Sequence, residues 1–458
     1  MNKYNRYYFI GIGGIGMSAL ARYFKTKGFE VAGYDRTETK LTQDLTAEGI
    51  EITYNEEVNF IPTSFLSAKN TLIIVTPAVP TTHPQLVYFR ENNYTLQKRA
   101  EVLGNITRQS KGICVAGTHG KTTTSTITAH LLYQSHVSCS AFMGGISSNY
   151  NTNLLLSKDS NYVVIEADEF DRSFHQLNPY MAVITSADAD HLDIYETPEA
   201  FGESFNHFTS LITPGGALIM RKGIAVTPRL QKGVKLFTYS MDEGGDFHAE
   251  NIKIANGEIR FDFVTPTDRI ADVRLKVPVM INVENSVAAM ALAWLNGVTA
   301  DEIRVGISSF SGIARRFNTV YKSDKLVFMD DYAHHPSELK ASISSIKALY
   351  PNRKITGVFQ PHLYTRTRDF ASDFANALSM LDELILLDIY PARELPIEGI
   401  TSDIILHDVK LENKTLCSKE NLLSLLKDKD LEVLVTFGAG DIDKMVPLIK
   451  KQLKESIL

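Results

Sequence analysis

The ten residues Val115-Ala-Gly-Thr-His-Gly-Lys-Thr-Thr-Thr124 constrain this chain more than any other stretch. The apolar run Ile113 to Ala116 predicts a buried strand, and Thr123 to Tyr133 predicts a helix. Between them Gly117-Thr118-His119-Gly120-Lys121-Thr122 must turn sharply. Strand, glycine turn and helix together aim backbone N–H groups and a helix N-terminus at a phosphate chain, and glycine lets the backbone approach it closely. Lys121 then brings a cation to the β- and γ-phosphates, and the Thr122 hydroxyl can hold Mg²⁺. The usual form of this loop opens on a glycine. Val115 stands there, so this loop is a shortened variant.

A second glycine turn lies near the N-terminus. Tyr7 to Ile10 predicts a strand, Gly11-Ile12-Gly13-Gly14-Ile15-Gly16 follows, and Met17 to Lys25 predicts a helix. Val31 to Tyr34 predicts the next strand, closed by Asp35. Taken by itself this is a dinucleotide fingerprint, with the glycines at a diphosphate and Asp35 on a ribose hydroxyl. The same glycines also suit a fold in which they only pack helix on strand. Thr71 to Val75 predicts another strand, and it ends in Thr76-Pro77-Ala78-Val79-Pro80, at the end of an open sheet where ligands bind.

Length allows about three domains at ~150 residues each. Polar stretches at 107–111 and at Ser311-Gly312 suggest boundaries, so the expected division is 1–108, 109–313 and 314–458. Apolar residues are 44% and charged residues 22%, enough for real cores, and the net charge of −6 without a long basic run argues against broad nucleic-acid binding. Cys114, Cys139 and Cys417 are widely spaced and odd in number, which suggests a reducing compartment. Glycines interrupt the only apolar run of the N-terminus, and no apolar stretch is long enough to span a bilayer. The expectation is a cytoplasmic protein with no membrane partner.

Strand ends carry the remaining candidates. Tyr162 to Ile165 ends in Glu166-Ala167-Asp168-Glu169-Phe170-Asp171-Arg172, a carboxylate cluster that is costly to bury unless a cation neutralises it; Mg²⁺ is the natural one. Met181 to Ser186 leads to Asp188-Ala189-Asp190-His191, where His191 reads as a ligand or as a structural residue. The run Ser147 to Asn153 reads as a binding loop or a plain connection. From Lys235 to Val279 short alternating strands are expected, then a helix Asn285 to Leu295 with Asn282 and Asn285 as capping or ligand residues. Beyond Arg315-Arg316-Phe317 a third strand–helix alternation begins. Its strand ends read Asp330-Asp331-Tyr332-Ala333-His334-His335-Pro336 and Gln360-Pro361-His362-Leu363-Tyr364-Thr365-Arg366. Repeated alternation implies α/β architecture with parallel sheets and a site at the strands' C-terminal ends.

In this order the motifs Gly117–Thr122, Glu166–Glu169, Asp190-His191, Arg315–Phe317, Asp331–Pro336 and Gln360–His362 resemble the Mur ligase family of bacterial peptidoglycan synthesis, over essentially the whole chain. The resemblance implies three domains: a Rossmann-like one for a UDP-sugar, a central P-loop ATPase with a parallel sheet and a small β region, and a Rossmann-like C-terminal one. It replaces the dinucleotide reading, so that Gly11, Gly13, Gly14, Gly16, Asp35 and Thr76 would face a UDP-sugar. ATP would take Gly117, Thr118, His119, Gly120, Lys121, Thr122, Thr123, Asn285, Arg316, Asp331 and His334. Mg²⁺ would take Thr122, Glu166 and His191, and the amino acid would take Tyr332, His362 and Arg366. Lys121, Glu169, His191 and Arg316 would be the catalytic set. Ile281 and Leu363 depart from the His and Arg the family often carries there. No lysine lies between Asp190 and Gly215, so the carbamylated lysine of several relatives is not expected, as in the family's alanine-adding branch.

That branch implies ATP-dependent joining of L-alanine to the carboxylate of UDP-N-acetylmuramate through an acyl phosphate, by a monomer or weak homodimer. The alternatives are a recycling ligase that adds a whole peptide to the same UDP-sugar, an NAD-dependent oxidoreductase suggested by the first glycine turn, and a nucleotide-gated protein that hydrolyses ATP without ligation.

Overall fold

A computed structural model describes residues 3–188, 192–242, 244–255, 258–392 and 394–455. It contains three sheets. The first has five parallel strands in the order Glu51–Thr53, Glu30–Tyr34, Arg6–Ile10, Thr71–Val75, Thr95–Lys98. The chain starts in the middle strand and winds both ways, so the loops after Ile10 and Val75 part at a topological switch point, where open α/β sheets bind ligands. Gly11 and Thr76 open those loops. A Cβ on Gly11 would lie 2.6 Å from the Thr76 methyl, and Gly11 has φ +87°, so only glycine fits.

The second sheet has ten strands, and its parallel core places the phosphate loop. Lys111–Ala116 lies between Pro179–Ile184 and Tyr162–Glu166, parallel to both. The three C-terminal ends are therefore adjacent, and they carry the glycine turn, the carboxylate cluster and Thr185-Ser186. Lys111–Ala116 is apolar at consecutive positions because both faces are covered. The alternating region expected from Lys235 on forms Lys235–Ser240, Phe247–Ala255, Glu258–Val264 and Arg269–Leu275, where Ile259, Phe261 and Phe263 share one buried face.

The third sheet runs Asn318–Lys322, Val327–Asp331, Val433–Phe437, Ile355–Phe359, Glu383–Leu386, Lys414–Leu416, with only the first strand antiparallel. Val327 and Met329 pack with Ile343 and Phe374 on one face, while Phe328 and Leu434 pack with Ile442 and Ile449 on the other. Period-two alternation thus feeds two cores from one strand.

By its contacts the chain forms two compact units. One comprises 1–251, 261–273 and 284–310; the other comprises 252–260, 274–283 and 311–458. The first sheet and the parallel core of the second share the first unit, and the helix Ile15–Thr26 is locked to the hairpin of the second sheet. Asn153 donates to the Ile15 carbonyl at 2.6 Å and to Ser18 Oγ at 2.9 Å, and it accepts from Arg22 Nη1 at 2.6 Å. Arg22 is buried and also forks onto Glu48. The polar run Ser147 to Asn153 is therefore a structural connection here. Tyr150, within it, bonds His130 Nδ1 at 2.7 Å.

Two helix starts differ from the sequence expectation. The loop helix begins at Lys121, two residues early, because Gly120 takes the left-handed N-cap position with φ +82°. The later helix runs Met280–Leu295, so Asn282 and Asn285 lie inside its first turns and do not cap it. Among the described residues no helix is long and apolar enough to cross a membrane.

Candidate active site

The phosphate loop is fastened from outside. His119 N–H donates to Ser186 Oγ at 2.8 Å, Thr185 Oγ1 donates to the His119 carbonyl, and the Thr118 hydroxyl donates to the Asp188 carbonyl at 2.7 Å. Gly117, with φ +135°, leaves no room for a side chain, since a Cβ would sit 2.1 Å from Thr185 Oγ1. Asn285 accepts from the Thr124 hydroxyl at 3.2 Å and closes over Gly120, so it is brought to the loop itself.

Lys121 Nζ donates to the Gly117 carbonyl at 2.7 Å and lies 2.8 Å from both oxygens of Glu169. Burial pulls the ammonium down, but Glu169, Asp168 and Glu166 outweigh it and its pKa is raised. Glu169 is only 2% exposed, and burial pushes it up to about 7 against the pull of Lys121. The other carboxylates of the cluster are paired too, Asp168 with Arg99 at 3.1 Å and Asp171 with Lys98 at 2.7 Å.

Glu166 is different. Its Oε2 is buried and has no hydrogen-bond partner among the described residues. Gly144 makes the space for it, because a Cβ there would come within 1.8 Å of Oε2. A buried, unpartnered carboxylate oxygen one strand from a phosphate loop fits a hard divalent cation. His191 and Asp190 lie outside the described residues.

A cavity of about 230 Å³ joins this cluster to the first glycine turn. Gly14, Gly16 and Thr76 line one side, Gly144, Glu166 and Asp168 the other, and Arg99 stands between them. Asp35 is already engaged, since Oδ2 accepts from Gly13 N–H at 2.7 Å and Oδ1 from Thr37 N–H at 3.2 Å. These bonds brace the turn, and each oxygen keeps a further lone pair. Sequence reasoning missed Arg99 and Gly144. Arg99 opens the helix Arg99–Thr107, and nothing local to it signals a site.

The second compact unit gathers its own cluster. Two guanidiniums approach the Tyr332 ring, Arg315 at 4.9 Å and Arg316 at 4.8 Å from its centre. Arg315 is structural, donating to the Gly438 carbonyl at 2.7 Å, whereas the Arg316 guanidinium makes no hydrogen bond or ion pair among the described residues. His334 and His362 meet edge to face at 6.0 Å, and His362 stacks on Tyr390. Burial pushes His334 down to about 4; Glu338 opposes this, and Arg366 and Arg316 add to it. The Arg366 guanidinium makes no hydrogen bond or ion pair among the described residues, while its carbonyl accepts from Phe370 N–H at 3.0 Å. Arg368, two residues further on, is exposed and paired with Asp369 at 2.7 Å. Asp331 is buried and raised by that burial, with Ser342 donating at 2.6 Å and Phe317 N–H at 3.3 Å.

Three consecutive blocks of the sequence match one family: residues 6–111 its catalytic domain, 115–293 its middle domain, and 315–440 its glutamate ligase domain. The chain belongs to the Mur ligase family. A UDP-N-acetylmuramate–L-alanine ligase of Phocaeicola vulgatus is 61% identical over 450 residues, covering 98% of each chain. One of Flavobacterium johnsoniae is 49% identical over 457 residues, covering 100% of each. Among solved structures, a UDP-N-acetylmuramate-alanine ligase of Thermotoga maritima superposes with TM-score 0.84 at 26% identity, covering 98% of this chain and 99% of that one. A murein peptide ligase of Psychrobacter arcticus shares the Mur ligase fold, with TM-score 0.69 at 21% identity and 98% of each chain covered.

Proposed function

We propose that this Mur ligase joins L-alanine to the carboxylate of UDP-N-acetylmuramate at the expense of ATP, as a step in building peptidoglycan precursors. One observation carries the reading: a single cavity connects the first glycine turn to the unpartnered Glu166 beside the phosphate loop. A sugar nucleotide held at the turn can extend its acid toward the place where phosphoryl transfer occurs. An oxidoreductase has no use for that connection. The choice of L-alanine over a peptide is supported by full-length relatives named L-alanine ligases at 46–61% identity.

In this reading the acceptor carboxylate attacks the γ-phosphorus of ATP, giving an acyl phosphate and ADP. The amine of L-alanine then attacks the acyl carbon, and phosphate leaves from the tetrahedral intermediate. Gly117 to Thr123 hold the ATP phosphates, and Lys121 stabilises charge on the phosphoryl group as it moves. Mg²⁺, held by Thr122 and Glu166 with His191 as a further ligand, would supply charge neutralisation at the phosphates. Asn285, Arg316, Asp331 and His334 complete the nucleotide's contacts, and Tyr332, His362 and Arg366 those of the amino acid. Glu169 holds Lys121 in place. Gly11, Gly13, Gly14, Gly16 and Thr76 cradle the sugar nucleotide over a turn that Asp35 fixes. We assign these roles to three domains, 1–108, 109–313 and 314–458, in a cytoplasmic protein that is monomeric or weakly dimeric.

The test is ATP- and UDP-N-acetylmuramate-dependent phosphate release with a panel of free amino acids and peptides. L-alanine should give the highest kcat/KM. A tripeptide that exceeds it would transfer the chain to the recycling branch.

A further inference from the structure

Building on the sugar-nucleotide reading, we propose that Arg99 grips the diphosphate of the acceptor together with the first turn of the helix Ile15–Thr26. That helix has Gly14 as N-cap, no side-chain cap and no acidic residue in its first turn. Its first backbone bond is Ser18 N–H to the Gly14 carbonyl at 2.9 Å. The N–H groups of Ile15, Gly16 and Met17 therefore have no partner within the helix, and all three residues line the cavity. Gly13 N–H is already taken by Asp35, and Gly14 N–H lies 3.3 Å from the Gly11 carbonyl. The free donors are thus those of the helix proper, aimed where an anion is favoured.

A diphosphate on that turn would face Glu166 and Asp168 across the cavity, and like charges would repel it. Among the described lining residues Arg99 carries the only positive charge, and it sits between the two sides. Its Nη2 holds Asp168 Oδ2 at 3.1 Å. Its Nη1 lies over Gly16, where an added Cβ would come within 2.6 Å of it. The guanidinium therefore spans the gap between the helix N-terminus and the carboxylates. A planar fork with five N–H donors can keep Asp168 and still offer bonds to phosphate oxygens in fixed directions, whereas a lysine has three donors on a single point charge. The geometry also gives Gly16 a second purpose, since a side chain there would displace Arg99. The other cations beside the cluster are committed elsewhere, Lys98 to Asp171 and Lys121 to Glu169.

The experiment compares UDP and UMP binding by calorimetry to the full-length wild type, Arg99→Ala and Arg99→Lys. Binding of a non-hydrolysable ATP analogue serves as the check on folding. Wild type should prefer UDP. Arg99→Ala should weaken UDP by about 10- to 100-fold, as expected for losing charged hydrogen bonds, and leave UMP within about 3-fold. Arg99→Lys should recover part of the loss, and ATP-analogue binding should stay unchanged in both variants. If UDP binds Arg99→Ala as tightly as wild type, Arg99 does not hold the diphosphate. If UDP and UMP weaken equally, Arg99 only supports the surrounding fold, and the proposal is likewise overturned. Wild type that binds neither UDP nor UDP-N-acetylmuramate would remove the sugar-nucleotide reading itself, an outcome separate from either of these.

Discussion

Replacing Lys121 by methionine separates two things the side chain does. Its ammonium spends its donors on the Gly117 carbonyl at 2.7 Å, the Thr118 carbonyl at 3.2 Å and Glu169 at 2.8 Å. Loss of a charge that stabilises the moving phosphoryl group should cut turnover by ~10²-fold or more. Stability responds differently. Glu169 is 2% exposed, and stranding a buried carboxylate costs ~3–5 kcal/mol if it must remain charged. It need not, because burial already holds it up at about 7, and without Lys121 it rises further and takes a proton. The folded state then keeps a proton that the unfolded chain has released above ~4.3, so stability falls as pH climbs through the folded-state value. Lys121→Met should therefore lose more melting temperature at about pH 8.5 than at about pH 6. The double variant Lys121→Met/Glu169→Gln buries no charge; it should recover most of the stability, lose the pH dependence, and stay inactive. Phosphate release and thermal melts at both pH values measure all of this. A folded single variant within ten-fold of wild-type turnover would refute the assignment of Lys121, and a double variant that regains activity would refute the division of roles.

Three further outcomes follow from particular side chains. Arg366→Ala should raise the KM for L-alanine far more than that for ATP, whereas Arg368→Ala, which loses only an exposed pair with Asp369, should change neither by much; steady-state kinetics decides. Turnover in CO₂-depleted buffer should be unchanged by added bicarbonate, because no lysine stands between Asp190 and Gly215; rescue by bicarbonate would mean that another lysine carries a carbamate. Asp330 is held up at about 6 by burial, with Thr436 donating at 2.7 Å, so stability it contributes in its protonated form should be lost as pH rises from ~4 through ~6. Asp330→Asn should flatten that part of a melting-temperature profile, and an unchanged slope would show that Asp330 is not its source.

The parts of the site legible in the sequence are those written in consecutive residues. A phosphate loop is a strand, two glycines and a lysine in one segment, and the structure moves only the helix start, by two residues. Strand-end motifs such as Asp330-Asp331-Tyr332 and Gln360-Pro361-His362 were legible for the same reason, since apolar runs place their ends. Roles that depend on partners far along the chain were not. Asn153 looked like a loop residue and is a buried bracket on a helix about which its neighbours say nothing. Asp35 fits a ribose by spacing, but spacing does not show that its oxygens also brace the turn by accepting from Gly13 and Thr37. Arg99 had no motif around it, and only the approach of Gly16 and Asp168 gives it a place.

The carboxylate segment shows why partners settle what spacing leaves open. Read along the chain, Glu166, Asp168, Glu169 and Asp171 are equivalent acids near a strand end. In the fold, Asp168 receives Arg99, Glu169 receives Lys121 and Asp171 receives Lys98. Lys98 and Arg99 come from the edge of the first sheet, and Lys121 from the loop of the second. That division leaves Glu166 as the one of the four acids without an ion pair among the described residues, and Gly144 keeps the space in front of its buried oxygen open. The backbone bears some strain to achieve this, since Asp171 and Arg172 both sit at φ +52°, a region non-glycine residues seldom occupy. Arg172 stacks on Tyr195 at 4.7 Å, and the Tyr195 hydroxyl donates to the Glu169 carbonyl at 2.5 Å, so contacts on both sides hold the turn. One short segment thus ties the first glycine turn's side of the cavity to the phosphate loop, and among the described residues it presents one acid without an ion pair to the space between them.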